Sequence, residues 1–311
     1  MDSKKFFTSK INIVIFAAIA TLLWGSAFPA VKIGYSIFRI SGSDTASKLI
    51  FAGYRFTIAG TMVLGISLVL NKTIFPSSKK DFSRLAILGL LQTTIQYIFF
   101  YIGLSNTTGV NGSIMSSAGT FFSVIFAHFI YKNDKLSYSK IIGCIAGFIG
   151  VVIVNFENGM HFSFNFYGDG FIIISAAASA IAAIYAKEIS NSINAIIVTG
   201  YQLFLGGMVL IVLGYVTGGK LANFTPNSTM LLVYLGFLSA AAFTLWTTLM
   251  KYNKVGSISI YNFLTPIFGA ILSSIFLGEN ILEIKNAAAL VLVCIGIYTV
   301  NSDVIKRVVK K

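Results

Sequence analysis

Stretches of fifteen or more mostly apolar residues, separated by short polar breaks, run along the chain at Ile11–Ile37, Leu49–Leu70, Leu85–Leu104, Gly109–Tyr131 and Ile141–Asn155. They continue at Tyr167–Ala186, Ala195–Val216, Met230–Met250, Ser257–Leu277 and Asn286–Val300. A helix rises about 1.5 Å per residue and a bilayer core is about 30 Å thick, so about twenty apolar residues cross it. The pattern predicts an all-α integral membrane protein with ten transmembrane helices. The runs are too long for membrane strands and lack their apolar/polar alternation. The longest predicted loops, Asn71–Arg84 and Phe156–Phe166, are too short to house a domain. The function therefore lies among the helices.

Composition strengthens this reading. Apolar residues make up 56% of the chain and charged ones only 11%, about half the charge of a soluble protein. Such a chain cannot cover a water-facing surface, but it can face lipid. The net charge of +13 would suggest nucleic acid on a soluble basic domain. Here the basic residues fill the gaps between apolar runs, and no nucleic-acid partner is expected. Lys4, Lys5 and Lys10 ahead of the first run resemble a signal peptide, but that run is too long for a cleaved segment and reads as a retained helix. Cys144 and Cys294 fall inside apolar runs and read as buried apolar residues, with no disulfide or metal site implied.

The positions of Lys and Arg set the orientation. With residues 1–10 in the cytoplasm, ten spans leave seventeen of the 23 basic residues in cytoplasmic segments, including the basic tail 302–311. Arg39, Lys48, Lys220 and Lys285 fall outside, and Lys32 and Arg55 lie within spans. The reading is a multi-pass protein of the cell membrane with both ends cytoplasmic.

Two halves of the chain also match each other. Gly53-Tyr54-Arg55 corresponds to Gly200-Tyr201-Gln202 at a separation of 147 residues, as do Gly60 and Gly207, and Leu88-Gly89 and Leu235-Gly236. Val110 and Val255, Thr120 and Thr265, and Asp134 and Glu279 follow at a separation of 145. The repeats span 11–155 and 167–301, with an extracytoplasmic linker at 156–166. Five spans per half means that the second enters the membrane from the opposite side. Inverted repeats of this kind underlie alternating access in many transporters.

The run Leu23-Trp24-Gly25-Ser26-Ala27-Phe28-Pro29-Ala30-Val31-Lys32, and Arg55 early in the second span, resemble the opening of EamA-type members of the drug/metabolite transporter superfamily. Leu264-Thr265-Pro266 through Leu277-Gly278-Glu279, followed by a last apolar span, resembles the end of the second EamA repeat. The first half departs from the second in having Phe121 and Asp134 where the second has Pro266 and Glu279. The resemblance implies ten helices, cytoplasmic termini and a central cavity. It also implies transport of amino acids, amines, nucleoside-like metabolites or drugs, with efflux of amino acids or related compounds preferred here.

Charges within spans are costly, about 2.5–3.5 kcal/mol each even on insertion scales. Arg55 is a candidate holder of an anionic group such as a carboxylate, or else a structural cation bonded to backbone carbonyls. Lys32 lies near a helix end and reads as snorkelling outward. No Asp or Glu falls mid-span, so a carboxylate proton relay is unsupported, and His128 reads as interfacial. Gln92 and Gln96, at i and i+4, share a helix face that must look inward, with Tyr97 and Tyr101 beside them. Trp24, Trp246, Tyr261 and Asn262 are further candidates for the cavity wall, suited to an amino acid side chain or, through cation–π contact, an amine. Each also reads as packing or interfacial anchoring. Pro29 and Pro266 each bend a helix and are candidate hinges or simple kinks.

Other classes fit less well. No paired metal ligands or nucleophilic constellation suggests an enzyme, no phosphate-binding loop suggests an ATP-driven pump, and no cofactor is implied. A channel or lipid scramblase of the same architecture is the stronger rival. The partners read from the sequence are a small-molecule substrate and the lipid bilayer, and oligomeric state stays open.

Overall fold

The computed structural model describes residues 3–70, 74–107, 112, 115–154, 164–277 and 284–309. Among them there are helices and no strands. A short α1 (Ser3–Thr8) precedes α2 (Lys10–Ile37), α3 (Thr45–Val69), α4 (Lys79–Ser105), α5 (Ala118–Ile130) and α6 (Tyr138–Val154). The second half holds α7 (Phe166–Ser190), α8 (Ala195–Val216), α9 (Pro226–Tyr252), α10 (255–277) and α11 (Ile284–Val309).

Against an expectation of ten spans, seven helices among the described residues are long and apolar enough to cross a bilayer. Three further apolar helices are shorter: Ala118–Ile130, Tyr138–Ile153 and Ala287–Asn301. The repeat partners Val110 and Glu279, and most of the expected linker, lie outside the described residues, as do the side chains of the basic tail.

Side chains are distributed as lipid demands. On α2 the buried positions are small, including Ala17, Ala20, Gly25, Ala27, Ala30 and Gly34. The large apolar residues Ile11, Val14, Ile15 and Leu22 are exposed. In water that arrangement would be costly. Against lipid, small residues instead let backbones approach, and close packing becomes the source of association. Exposed apolar side chains ring the molecule, far beyond the patches a soluble monomer tolerates. Cys144 is buried as expected, whereas Cys294 is exposed on this outer face.

Helix starts follow local chemistry. Asp44 accepts from Ser47 N, Ser78 from Asp81 N, and Thr225 with Ser228 forms a capping box ahead of Pro226. These satisfy orphan N–H groups at helix N-termini.

The two halves interlock through glycine. The most extensive pairing joins α3 to α8, followed by α6 with α11. A Cβ added at Gly60 would lie 2.4 Å from Phe204 N and 2.7 Å from Gly200 O. One added at Gly207 would lie 2.9 Å from Gly53 O. On α6 and α11, Gly143 abuts Gly296, and Gly150 abuts Ala289. The remaining large pairings are α2 with α9 and α10, α7 with α4 and α5, α3 with α9, and α4 with α8.

Candidate functional site

A cavity of about 470 Å³ lies between α2, α3, α4 and α5 of the first half and α7, α9 and α10 of the second. That volume is within the usual range for a small-molecule site. Trp24, Arg55, Gln92, Gln96, Tyr97, Trp246 and Asn262 all line it, and so does Pro266. Tyr261 does not. A tight 3-10 turn at Ile260–Phe263 turns about 120° per residue, so Asn262 reaches the cavity while Tyr261 is buried in the adjoining core with Leu249 and Ile258. Pro29 is also buried and is not part of the lining. The carbonyl freed by Pro29 belongs to Gly25, and Gly25 packs on the backbone of Phe268 and Gly269, just beyond Pro266. The two prolines therefore lie on helices that pack directly against each other, α2 and α10.

Arg55 is 4% exposed. Its Nε donates to Ser239 Oγ at 2.7 Å, and the guanidinium lies 5.0 Å from the Phe56 ring centroid. No carboxylate among the described residues pairs with it, and its backbone-carbonyl reading is not what the packing provides. Ser239 in turn donates to Leu235 O at 2.8 Å, so the hydroxyl is held in an accepting orientation toward Arg55.

Gln92 and Gln96 reach the cavity from α4, which is locally distorted. Its central stretch Leu90–Ile95 is a π-helix, a feature often found at functional sites. Thr93 and Thr94 in this stretch donate to Gln202 O at 3.2 Å and Gly206 O at 3.1 Å on α8. These bonds pin the widened turn, and Gln96 Oε1 is left buried without a partner. The aromatic end of the cavity is built by Trp24, with its ring 5.1 Å from Trp246 and 5.3 Å from Phe243.

Several residues carry more than the sequence suggested. Lys32, expected to snorkel outward, lines the cavity. So does Tyr35, whose hydroxyl lies beside that of Tyr101 but is buried without a well-formed hydrogen bond. Trp24, Phe28, Val31 and Tyr35 recur at helical spacing, a signal that would have marked this face. Gln202 is fully buried on α8, and neither side-chain polar atom has a partner. Asp169, near the start of α7, is 1% exposed and accepts from Thr107 Oγ1 at 2.6 Å and Asn165 N at 2.9 Å. His128 is outside the lining and accepts from Leu136 N through Nδ1 at 3.0 Å.

The lysine-rich end of the bundle is tied across the two halves. Asp134, in the turn between α5 and α6, accepts from Lys140 Nζ at 2.6 Å and from Gly256 N at 2.9 Å. Gly256 is in the first turn of α10, where N–H groups lack helical partners and favour a carboxylate. Nearby, Lys187 of α7 donates to the carbonyls of Met250 and Asn253 at the end of α9. Tyr131 donates to Glu188 Oε1 at 2.7 Å. The cavity lies beyond this latch, reaching from Met250 toward Tyr35 and Leu104.

Comparison with known proteins agrees with this architecture. The sequence profile of the EamA-like transporter family matches residues 11–156 and 166–302. An uncharacterized transporter of Archaeoglobus fulgidus is 27% identical over 298 residues, covering 92% of this chain and 97% of that protein. The uncharacterized transporter YvbV of Bacillus subtilis is 26% identical, covering 94% of this chain and 92% of its own. A chloroplastic WAT1-related protein of Arabidopsis thaliana is 22% identical over 89% of this chain. One solved structure, described only as the crystal structure of a protein, superposes with a TM-score of 0.78 over 97% of this chain at 16% identity, a likeness of fold. With apolar helices suited to a bilayer, a cavity between two halves and a profile match across both, the chain belongs to the EamA-like transporter family and is a multi-pass membrane transporter.

Proposed function

We propose that the protein moves small organic solutes across the cell membrane by alternating access, exporting amino acids or related compounds from a cavity between two inverted five-helix repeats. The repeats are 11–155 and 167–301, joined by an extracytoplasmic linker at 156–166, with segments 1–10 and 302–311 in the cytoplasm. Trp24, Arg55, Gln92, Gln96, Tyr97, Trp246 and Asn262 form the binding surface, and the helix bends at Pro29 and Pro266 are the hinges. The observation that carries this reading is the cavity itself, lined from both halves and backed at one end by the Asp134 latch between them.

Packing supports the inverted repeat. Under an exchange of halves, α2 with α9 becomes α7 with α4, α2 with α10 becomes α7 with α5, and α3 with α9 becomes α8 with α4. Each of these is an observed pairing. The glycine contacts are reciprocal in the same sense. Gly53 and Gly200 correspond, as do Gly60 and Gly207, and the contacts are Gly53 with Gly207 and Gly60 with Gly200. A two-fold axis in the membrane plane would give that pattern.

The same correspondence matches Arg55 to Gln202 and Gln92 to Ser239, again 147 residues apart. Arg55 bonds Ser239, whereas Gln202 is unpartnered. Exchange of conformations between halves would close Gln92 on Gln202 and release Arg55 from Ser239. Substituting Gln202→Leu removes two unsatisfied buried groups, which cost about 1–3 kcal/mol each. It is expected to raise the melting temperature while slowing transport. A lowered melting temperature would count against Gln202 being unpaired.

The decisive experiment is counterflow in proteoliposomes with labelled amino acids and related metabolites. Saturable exchange supports a carrier, and non-saturable flux indicates a channel. Membrane-impermeant labelling of engineered cysteines near residues 5 and 305 tests the topology. Ends on opposite faces of the bilayer would defeat it.

A further inference from the structure

We infer that the preferred substrate is an organic carboxylate bearing no compensating positive charge, with its carboxylate at Arg55 and its apolar body against Trp24 and Trp246. This rests on the transport reading above and, among the amino acids and related compounds named there, selects the related acids that lack the ammonium group. The cavity presents a buried guanidinium, that of Arg55, and no Asp or Glu among the described residues lines it. Asp169 on α7 is occupied by Thr107 and Asn165. Asp134 is engaged in the latch by Lys140 and Gly256.

The supply of donors points the same way. Arg55 commits only Nε, and to a neutral hydroxyl. A guanidinium has five N–H donors and no acceptor. The buried Tyr35 hydroxyl belongs to the same lining and has no well-formed hydrogen bond. A carboxylate accepts from several donors at once and pairs with a guanidinium in two parallel bonds. A buried cation is stable when it is paired, and here the ligand supplies the missing anion.

An ammonium group would find only neutral acceptors, such as Gln96 Oε1 and Thr265 Oγ1, both buried without partners. Those atoms can receive a hydroxyl or amide hydrogen. They cannot neutralise a second positive charge beside that of Arg55. The Trp24–Trp246 pair, at 5.1 Å, supplies a flat apolar surface for the rest of the molecule.

Binding to detergent-purified full-length protein tests this with matched probes that share a body and differ in charge. The sets are 3-phenylpropionate, phenylalanine and phenethylamine, then indole-3-propionate, tryptophan and tryptamine, then butyrate, 2-aminobutyrate and butylamine. Within a set the acid should bind at least tenfold more tightly than the amino acid, and the amine should not bind. Arg55→Gln should abolish that discrimination and Arg55→Lys should retain part of it. Tyr35→Phe, which removes a hydroxyl with no well-formed bond and should fold normally, should weaken the acid several-fold.

Equal or tighter binding of the amino acids or amines overturns the proposal. So does failure of every acid to bind, or unchanged acid affinity in Arg55→Gln. If the acids bind in an Arg55-dependent way but show no counterflow in proteoliposomes, the transport reading fails and the charge assignment stands.

Discussion

Replacing Asp134 by alanine is expected to destabilise the protein by about 3–5 kcal/mol, the usual cost of breaking a buried ion pair by removing one partner. Asp134 is 2% exposed, and its Lys140 partner is also buried. The alanine variant strands the ammonium and leaves Gly256 N–H unsatisfied at the start of α10. Two carbonyls, those of Asp134 and Lys135, still accept from Lys140 Nζ at 3.0 and 2.7 Å, which places the loss toward the lower end. Thermal unfolding in detergent should show a fall on the order of 5–10 °C. The double variant Asp134→Leu with Lys140→Met should recover much of it, because no charge is then left buried. A single variant that melts with the wild type would mean that the carboxylate contributes nothing across the halves.

The second large effect belongs to the crossing of α3 and α8. Gly60→Ala places a methyl group 2.4 Å from the backbone nitrogen of Phe204, and backbone cannot rotate away as a side chain can. Separating the helices also loosens the reciprocal contact at Gly53 and Gly207. The expected loss is about 2 kcal/mol or more, in the range of overpacked cores. Gly65 on the same helix is the internal control, with nothing within 4 Å of an added Cβ. There alanine should be neutral or should stabilise by about 0.5–1 kcal/mol through helix propensity. Similar melting temperatures for the two variants would show that α3 and α8 do not pack this closely.

Much of the site is legible in the amino-acid sequence because its residues are anomalous in a membrane chain. Arg55, Gln92 and Gln96 are polar where lipid forbids polarity, so each has to face inward. All three line the cavity. Trp24 and Trp246 are weaker inferences, since an aromatic residue serves equally well in packing or at an interface. Tyr261 and Asn262 are adjacent, and only the 3-10 turn at Ile260–Phe263 separates their environments. The distance of Lys32 from a helix end suggests an outward side chain, yet its direction depends on the face that helix turns to its neighbours. Gln202 is visible in the sequence only as the repeat partner of Arg55. Nothing local marks it as buried without a hydrogen bond.

By itself the sequence determined that the chain is a membrane protein built from apolar helices, and it marked the repeat and the family. These are one-dimensional properties: run length against bilayer thickness, the placement of Lys and Arg, and recurrence at a near-constant separation. The tertiary structure alone decided which residues meet. Arg55 finds Ser239 and Asp134 finds Gly256 across 184 and 122 positions of chain. Such contacts arise because glycine faces bring particular backbones together. Neither hydropathy nor spacing encodes which helix will lie against which.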